Sequence, residues 1–302
     1  MGTDVLVVGS LNHDIVAGVD VAPGPGETVL ARTLTRTNGG KGGNQAVAAA
    51  RAGASVRMIG ALGADAEGDM QVDNLTAHGV DCGGIARHRD VHTSLALIWV
   101  RPDGENSIIV TPGANDRVTP EFLASQTDAL LAAPPPVVLA QSEVGAAVSD
   151  ASAELARRIG ARFVLSCGPV VLPSADTLKL CDPVVVNATE ARDLLSQVGA
   201  DASVPEPVLA QALLDATGAR SVVVTLGARG SQVASAGGDS LTLEAAKAER
   251  VVDTTGAGDT YCGVVAARLA LGDTLPDACD EAAVAAAAAV GWLGARPPLD
   301  RQ

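Results

Sequence analysis

Short, almost uninterrupted apolar runs recur along the chain: VLVVG at 5–9, VRMIGAL at 56–62, VVLA at 137–140, RFVLS at 162–166, PVVVN at 183–187 and SVVVTLG at 221–227. A strand with one wet face would alternate apolar and polar residues. Continuous runs of this length predict strands covered on both faces. Between them lie Ala-rich segments that predict helices, among them 43–54, 144–161 and 207–219. The alternation predicts an α/β fold, a mostly parallel, doubly wound sheet with helices on both faces.

Two stretches break this rhythm. Residues 13–37 carry Pro and Gly and end in a strand-like run, and residues 92–111 hold two strand-like runs around PDGEN, a hairpin signal. Together they predict a small β-layer beside the main sheet. There is no internal repeat, long linker or low-complexity tail, so residues 1–302 are expected to form one domain with that layer inserted.

Composition narrows the function. Asp plus Glu outnumber Lys plus Arg by 35 to 21, a net charge of -14, which argues against a nucleic-acid or anionic-membrane surface. The five cysteines (Cys82, Cys167, Cys181, Cys262, Cys279) are scattered, with no C-x-x-C pair. They are expected to be small core residues of a protein in the reducing cytoplasm. The N-terminus enters a strand-like run at once, without a basic segment and long apolar stretch, and EAAVAAAAAVGWLGA is too short for a bilayer. The histidines (His13, His78, His88, His92) lack zinc-type spacing and are expected on the surface or in loops.

Five stretches carry candidate chemistry. In DTTGAGDTYCG, 253–263, an extended segment is expected over 247–254 and a helix over 259–271, with small residues before Asp259. Helix N-termini gather free N–H groups and suit anions, although an Asp there is equally a plain N-cap. In NGGKGGNQA, four glycines surround Lys41 ahead of a helix. The Gly-Gly pairs would let a ligand lie on the backbone while Lys41 and Asn44 donate, or the stretch is a turn with an Asn cap. GSLNHD, 9–14, stands at the carboxyl end of the first strand, where open α/β sheets bind ligands. Asn12 and Asp14 could chelate adjacent hydroxyls or merely form a turn. In NATEA, Asn187 and Glu190 suit either a water-mediated Mg²⁺ site or a capping box. TLGARG, 225–230, is a glycine turn that a nucleotide could pass. The P-loop pattern, the dinucleotide fingerprint and the G-x-S-x-G elbow are all absent from the sequence.

GGKGGNQAVAAARAGA and DTTGAGDTYCG together resemble the paired signatures of the ribokinase-type (PfkB-type) carbohydrate kinase family, and order and spacing match it from about residue 4 to 298. GSLNHD, PGET at 25–28, PGAN at 112–115, NATEA and TLGARG have counterparts in its ribose-phosphorylating members. The resemblance implies transfer of the ATP γ-phosphoryl group to the primary hydroxyl of D-ribose. It makes Asp259 the catalytic base, with Gly256, Ala257 and Gly258 as the anion hole. It assigns Asn12, Asp14, Gly40, Lys41, Asn44 and Glu143 to the sugar. Asn187, the turn Thr225, Leu226, Gly227, Ala228, Arg229 and Gly230, and Ala283 would serve the nucleotide, along with Gly258.

Glu190 would organise Mg²⁺ through water. Asp253, Thr255, Ala289, Trp292, Gly294 and Pro298 would hold a monovalent cation, usually K⁺. The β-layer would be a lid that also pairs two subunits into a homodimer. Some positions depart from the family pattern: Ser166 stands where Asn is usual, Tyr261 replaces Phe, and Ala283 and Pro298 stand where polar residues are frequent. The same family leaves deoxyribose, a ketose or a nucleoside open as acceptor. A nucleoside needs an apolar wall, and Trp99 is the one aromatic in the lid strands. A sugar-binding protein without catalysis would predict a broken GAGD motif, which is intact.

Overall fold

The computed structural model describes residues 2–103 and 105–299. In chain order the strands are β1 (Val5–Val8), β2 (Asn12–Gly18), β3 (Thr33–Gly39), β4 (Val56–Gly63), β5 (Asp81–His88), β6 (Ser94–Val100), β7 (Asn106–Thr111), β8 (Val137–Gln141), β9 (Arg162–Ser166), β10 (Cys181–Asn187), β11 (Ser221–Thr225), β12 (Ser231–Ser235) and β13 (Leu241–Leu243). The helices are α1 (Lys41–Arg51), α2 (Ala66–Ala77), α3 (Pro120–Ala132), α4 (Ala146–Ile159), α5 (Ala175–Leu180), α6 (Ala188–Gln197), α7 (Leu209–Thr217), α8 (Ala257–Ala270) and α9 (Leu275–Ala289).

A nine-stranded sheet runs in the order β13-β12-β11-β10-β9-β8-β1-β4-β5. It is parallel from β11 to β5, and β12 and β13 add an antiparallel edge. Successive residues of a strand point to opposite faces, and here both faces are covered. Leu6, Val8, Val138 and Ala140 enter a core shared with residues of α3 to α7. Val5, Val7, Val137 and Leu139 enter another, shared with α1, α2, α8 and α9. That is why the strands read as continuous apolar runs. The chain winds outward from β1 in both directions, through β4 on one side and β8 on the other, which opens a crevice at their carboxyl ends.

The second sheet, β3-β2-β6-β7, grows directly from that crevice. β2 follows β1 after three residues and pairs antiparallel with β3 and parallel with β6, while β6 and β7 form the expected hairpin. Gly104, in the PDGEN turn, lies outside the described residues.

Residues 247–254 join neither sheet; the segment bonds to the chain after α9, through Val252 N–H to the Val290 carbonyl at 2.7 Å. One expectation fails here. His13 is no surface or loop residue. It sits in β2, 1% exposed, and both its ring nitrogens lack partners among the described residues. Alternation along β2 sends Asn12 and Asp14 to one face and His13 to the other, where burial lowers its pKa. His88 likewise lies in β5, partly buried.

Candidate active site

The loop before α8 makes its turn at Gly256, which is left-handed with φ 77° and caps the helix through no side chain. A Cβ there would lie 2.5 Å from the Ala295 Cα, so only glycine lets the helix start this close to the C-terminal loop. Ala257, Gly258 and Asp259 form the first turn. Asp259 is therefore not the N-cap; Gly256 takes that place, and the carboxylate is free to point inward. It is buried, and accepts from Asn44 Nδ2 at 2.9 Å and Gln45 Nε2 at 3.1 Å, both on α1. Gly258 has open space where a Cβ would be and lines the same cleft as Asp259, so a ligand can approach its backbone.

The other glycine motif works differently from expectation. A Cβ on Gly40 (φ 84°) would meet Asn12 N at 2.6 Å, and one on Gly42 would meet Gly9 C and Ser10 N at 2.7 Å. These glycines let the start of α1 lie against the β1–β2 loop, so their absent side chains are accounted for by packing within the chain. Gly40 caps α1, and Asn44 is well inside the helix rather than its cap.

Around this joint lie the predicted sugar residues. Glu143 follows β8, and it accepts from the Ser10 hydroxyl and from Lys41 N–H at 3.2 Å. Asn12 Oδ1 accepts from Asn115 Nδ2 at 2.8 Å, which fixes its amide. Lys41 is held charged by the field of Asp259, with Glu143 and Glu190 adding to it. Burial raises the Asp14 carboxyl to about 6; Arg296 opposes the shift, and Glu143 and Asp259 reinforce it.

On the far side of Asp259 the cleft is walled by the ends of β9, β10 and β11, with Ser166, Asn187, Glu190 and Thr225 in its lining. Asn187 and Thr225 stand side by side in the parallel register. Asn187 and Glu190 form a full capping box, so each satisfies the other's backbone N–H at 2.8 and 2.9 Å. The box uses one carboxylate oxygen and leaves the residue in the cleft wall. Leu226, Gly227, Ala228, Arg229 and Gly230 continue the turn above β11 but are not in the cleft lining, and Arg229 pairs with Glu206 at 2.9 Å. Ala283 packs against the core of α8 and α9 and offers the cleft no side chain. The Tyr261 hydroxyl is satisfied inside the fold by Ser231 at 3.0 Å, so the extra oxygen leaves the helix undisturbed.

The loops proposed for the monovalent cation do meet. Asp253 Oδ1 accepts from the Thr255 N–H and hydroxyl at 2.9 and 2.7 Å, and Oδ2 accepts from the Gly294 N–H at 2.9 Å. Ala289 is buried at the end of α9, and Trp292 and Pro298 lie in the connecting chain. Trp292 and Pro298 could give a cation only carbonyl oxygens, since the indole N–H is a donor. One carboxylate among backbone carbonyls fits a weakly held monovalent ion. For Mg²⁺ the fit is different: among the described residues no three His, Cys, Asp or Glu cluster as a metal site. Glu190 is a single oxygen donor, which suits an ion held mainly by phosphate and water.

Sequence reasoning missed an inner ring of polar residues. Gln45, Gln71, Gln141 and Arg296 are all buried here. Gln141 Nε2 donates to Gln45 Oε1 at 2.8 Å behind Asp259, and Arg296 binds Asn44 at 2.9 Å. No spacing or motif in the sequence ties these four residues to one another, because their partners lie far apart along the chain.

Comparison with known proteins agrees with this geometry. Residues 2–302 match the model of the pfkB family carbohydrate kinases. Ribokinase of Schizosaccharomyces pombe is 32% identical over 299 residues, 97% of this chain and 93% of that protein. Ribokinase of Haemophilus influenzae is also 32% identical, over 99% and 96% of the two chains. The solved structure of Arabidopsis thaliana ribokinase complexed with ribose and ATP superposes with a TM-score of 0.87 at 30% identity, covering 98% of this chain and 95% of that one.

Proposed function

This chain belongs to the pfkB family of carbohydrate kinases and is an ATP-dependent carbohydrate kinase; from that membership we propose that its acceptor is D-ribose and its product D-ribose 5-phosphate. The observation that carries the reading is the gathering of charged and polar groups around Asp259: Lys41 lines its cleft, Asn44 donates to it, and Asp14 and Glu143 lie within the same electrostatic neighbourhood. Asn12 and Asp14 hold adjacent hydroxyls of the sugar, leaving its primary hydroxyl beside Asp259. As that oxygen bonds to the γ-phosphorus, its proton passes to the Asp259 carboxylate and the bond to the ADP oxygen breaks. The first N–H groups of α8 face the charge that builds on the phosphoryl oxygens, where such donors count most. Lys41 supplies a fixed positive charge. The β-lid covers the sugar and excludes water that would otherwise take the phosphoryl group.

Glu190 would orient the waters of a Mg²⁺ that arrives with the nucleotide, and the 253–255 and 289–298 loops would hold K⁺. These loops pack directly on Gly256, so the ion would stiffen the anion hole without touching the substrate. A cytoplasmic setting, which keeps thiols reduced, suits the five free cysteines.

The test is ATP consumption by the purified protein with Mg²⁺ and K⁺, comparing D-ribose with 2-deoxyribose, fructose and adenosine. Ribose is expected to give the highest kcat/KM; a higher value for another acceptor removes the ribose assignment and leaves the kinase. Tetramethylammonium in place of K⁺ is expected to slow turnover, and equal rates would discard the cation site.

Two further results are expected. Ionised Asp14 is the hydroxyl acceptor, and its carboxyl is pushed up to about 6. Lowering the pH through that value protonates it, so kcat/KM for the sugar falls on the acid side while KM for ATP holds. A flat kcat/KM profile between pH 5 and 7 would count against Asp14. The lid also carries exposed Ile108, Ile109 and Val110 on β7, an edge strand. Exposed apolar edges seek a partner, and a second lid is the proposed one. Sedimentation should give a dimer for the native chain and a monomer for Ile109→Asp; a monomeric native chain would refute it.

A further inference from the structure

Arg296 is 7% exposed, and its guanidinium lies behind Asn44, the side chain that donates to Asp259. It donates to Asn44 Oδ1 through Nε at 2.9 Å, to Gln71 Oε1 and Asn74 Oδ1 through Nη1 at 3.0 and 2.8 Å, and to the Gly39 carbonyl through Nη2 at 2.8 Å. A Cβ on Gly43 would collide with Nη2, so that glycine is the slot through which the cation enters. A buried cation is costly, and a fold keeps one only where it is fully bonded.

The chemistry of these bonds has a direction. Arginine only donates, so the three amides facing it, those of Asn44, Gln71 and Asn74, must turn their oxygens toward it and their NH₂ groups away. The Asn44 NH₂ then points at Asp259 Oδ2. The Gln71 NH₂ then points at the carbonyls of Asn12 and Gly39, the first pair of residues where lid strands β2 and β3 leave the crevice. We propose that Arg296 is a positioning residue that sets both the donor facing the catalytic base and the hinge of the lid over the sugar. Arg296 touches neither substrate nor reacting atoms. It acts through Asn44 and Gln71, from a segment whose Gly294 also holds Asp253. Without it, either amide can rotate, the base can lose its partner, and the sugar-side wall is no longer tied to the C-terminal loop.

The proposal rests on the sugar-kinase reading, and the experiment separates the two. Ribose binding is measured by calorimetry without nucleotide, and KM for ribose and for ATP by steady-state kinetics. The proteins are the native chain, Arg296→Met, Arg296→Lys and Asn74→Ala, each checked by thermal melting. Arg296→Met is expected to weaken ribose binding about tenfold, the scale of one lost hydrogen bond, and to lower kcat, with KM for ATP within about twofold. Lys, which also only donates, recovers part of the loss. Asn74→Ala removes one outer acceptor, folds, and weakens ribose by a factor of about two to three, so the test survives if Arg296→Met does not fold. Native ribose affinity in both Arg296→Lys and Asn74→Ala, or equal losses for ribose and ATP, would overturn the proposal. A native enzyme that prefers another sugar removes the ribose assignment alone, and the same comparison then applies to that sugar.

Discussion

Asp259→Asn is expected to lower kcat by about 10²–10⁴-fold, the usual contribution of a positioned general base. The amide has the shape of the carboxylate but takes no proton. Its effect on the fold is calculable from its partners. Asn44 Nδ2 and Gln45 Nε2 both donate to the two oxygens of Asp259. Arg296 locks the first amide and Gln141 donates to the second at 2.8 Å. An asparagine turns an NH₂ against one of these donors, leaving a buried clash worth about 1–3 kcal/mol. For a chain of this size that is a fall in Tm of a few degrees. Melting and steady-state kinetics on the same preparation check both parts. Turnover near the native rate would take Asp259 out of the base role, whatever the melt shows.

Gly256→Ala is the second large effect. Its φ of 77° excludes a Cβ sterically, and that Cβ would sit 2.5 Å from Ala295 Cα and 2.7 Å from its carbonyl oxygen. Backbone strain of about 1–3 kcal/mol and overpacking of about 1–3 kcal/mol add. Relief requires moving the start of α8, where the anion hole is proposed. A shift of about 1 Å in such a donor set costs on the order of 10²-fold in rate. Gly258→Ala is the informative contrast. Nothing lies within 4 Å of a Cβ there, and alanine favours a helix over glycine by about 0.8–1 kcal/mol. The variant is expected to melt higher than the native protein and still lose rate, because its methyl enters the cleft. If Gly256→Ala keeps native kcat, or Gly258→Ala is as active as it is stable, the anion hole is not at this turn.

Much of the site was readable because its signals are local. Gly256, Gly258 and Asp259 announce a tight entry to a helix, and Asn187 and Glu190 are spaced as a capping box and form one. Lys41 is legible in its glycine-rich turn, but Glu143 is reached only through the resemblance, since 102 residues separate it from the Lys41 N–H that bonds it at 3.2 Å. In the sequence the glycines of GGKGG suit either a ligand bed or a plain turn, and in the fold their absent side chains make room for Ser10, Asn12 and Arg296. Whether a glycine faces a ligand or another piece of chain depends on what the rest of the fold brings to it.

The sequence alone determined the parallel sheet buried on both faces, the helices between its strands, the hairpin of the lid and the two glycine turns. These follow from side-chain periodicity and backbone sterics, which act over a few residues. Tertiary structure alone decided that His13 is buried on the face of β2 opposite Asn12 and Asp14, that Gly256 rather than Asp259 caps α8, and that Arg296 reaches across 252 residues to hold Asn44. Hydrogen bonding has no period along the chain. A buried polar group is defined by its partners, and those partners come together only when the chain has folded.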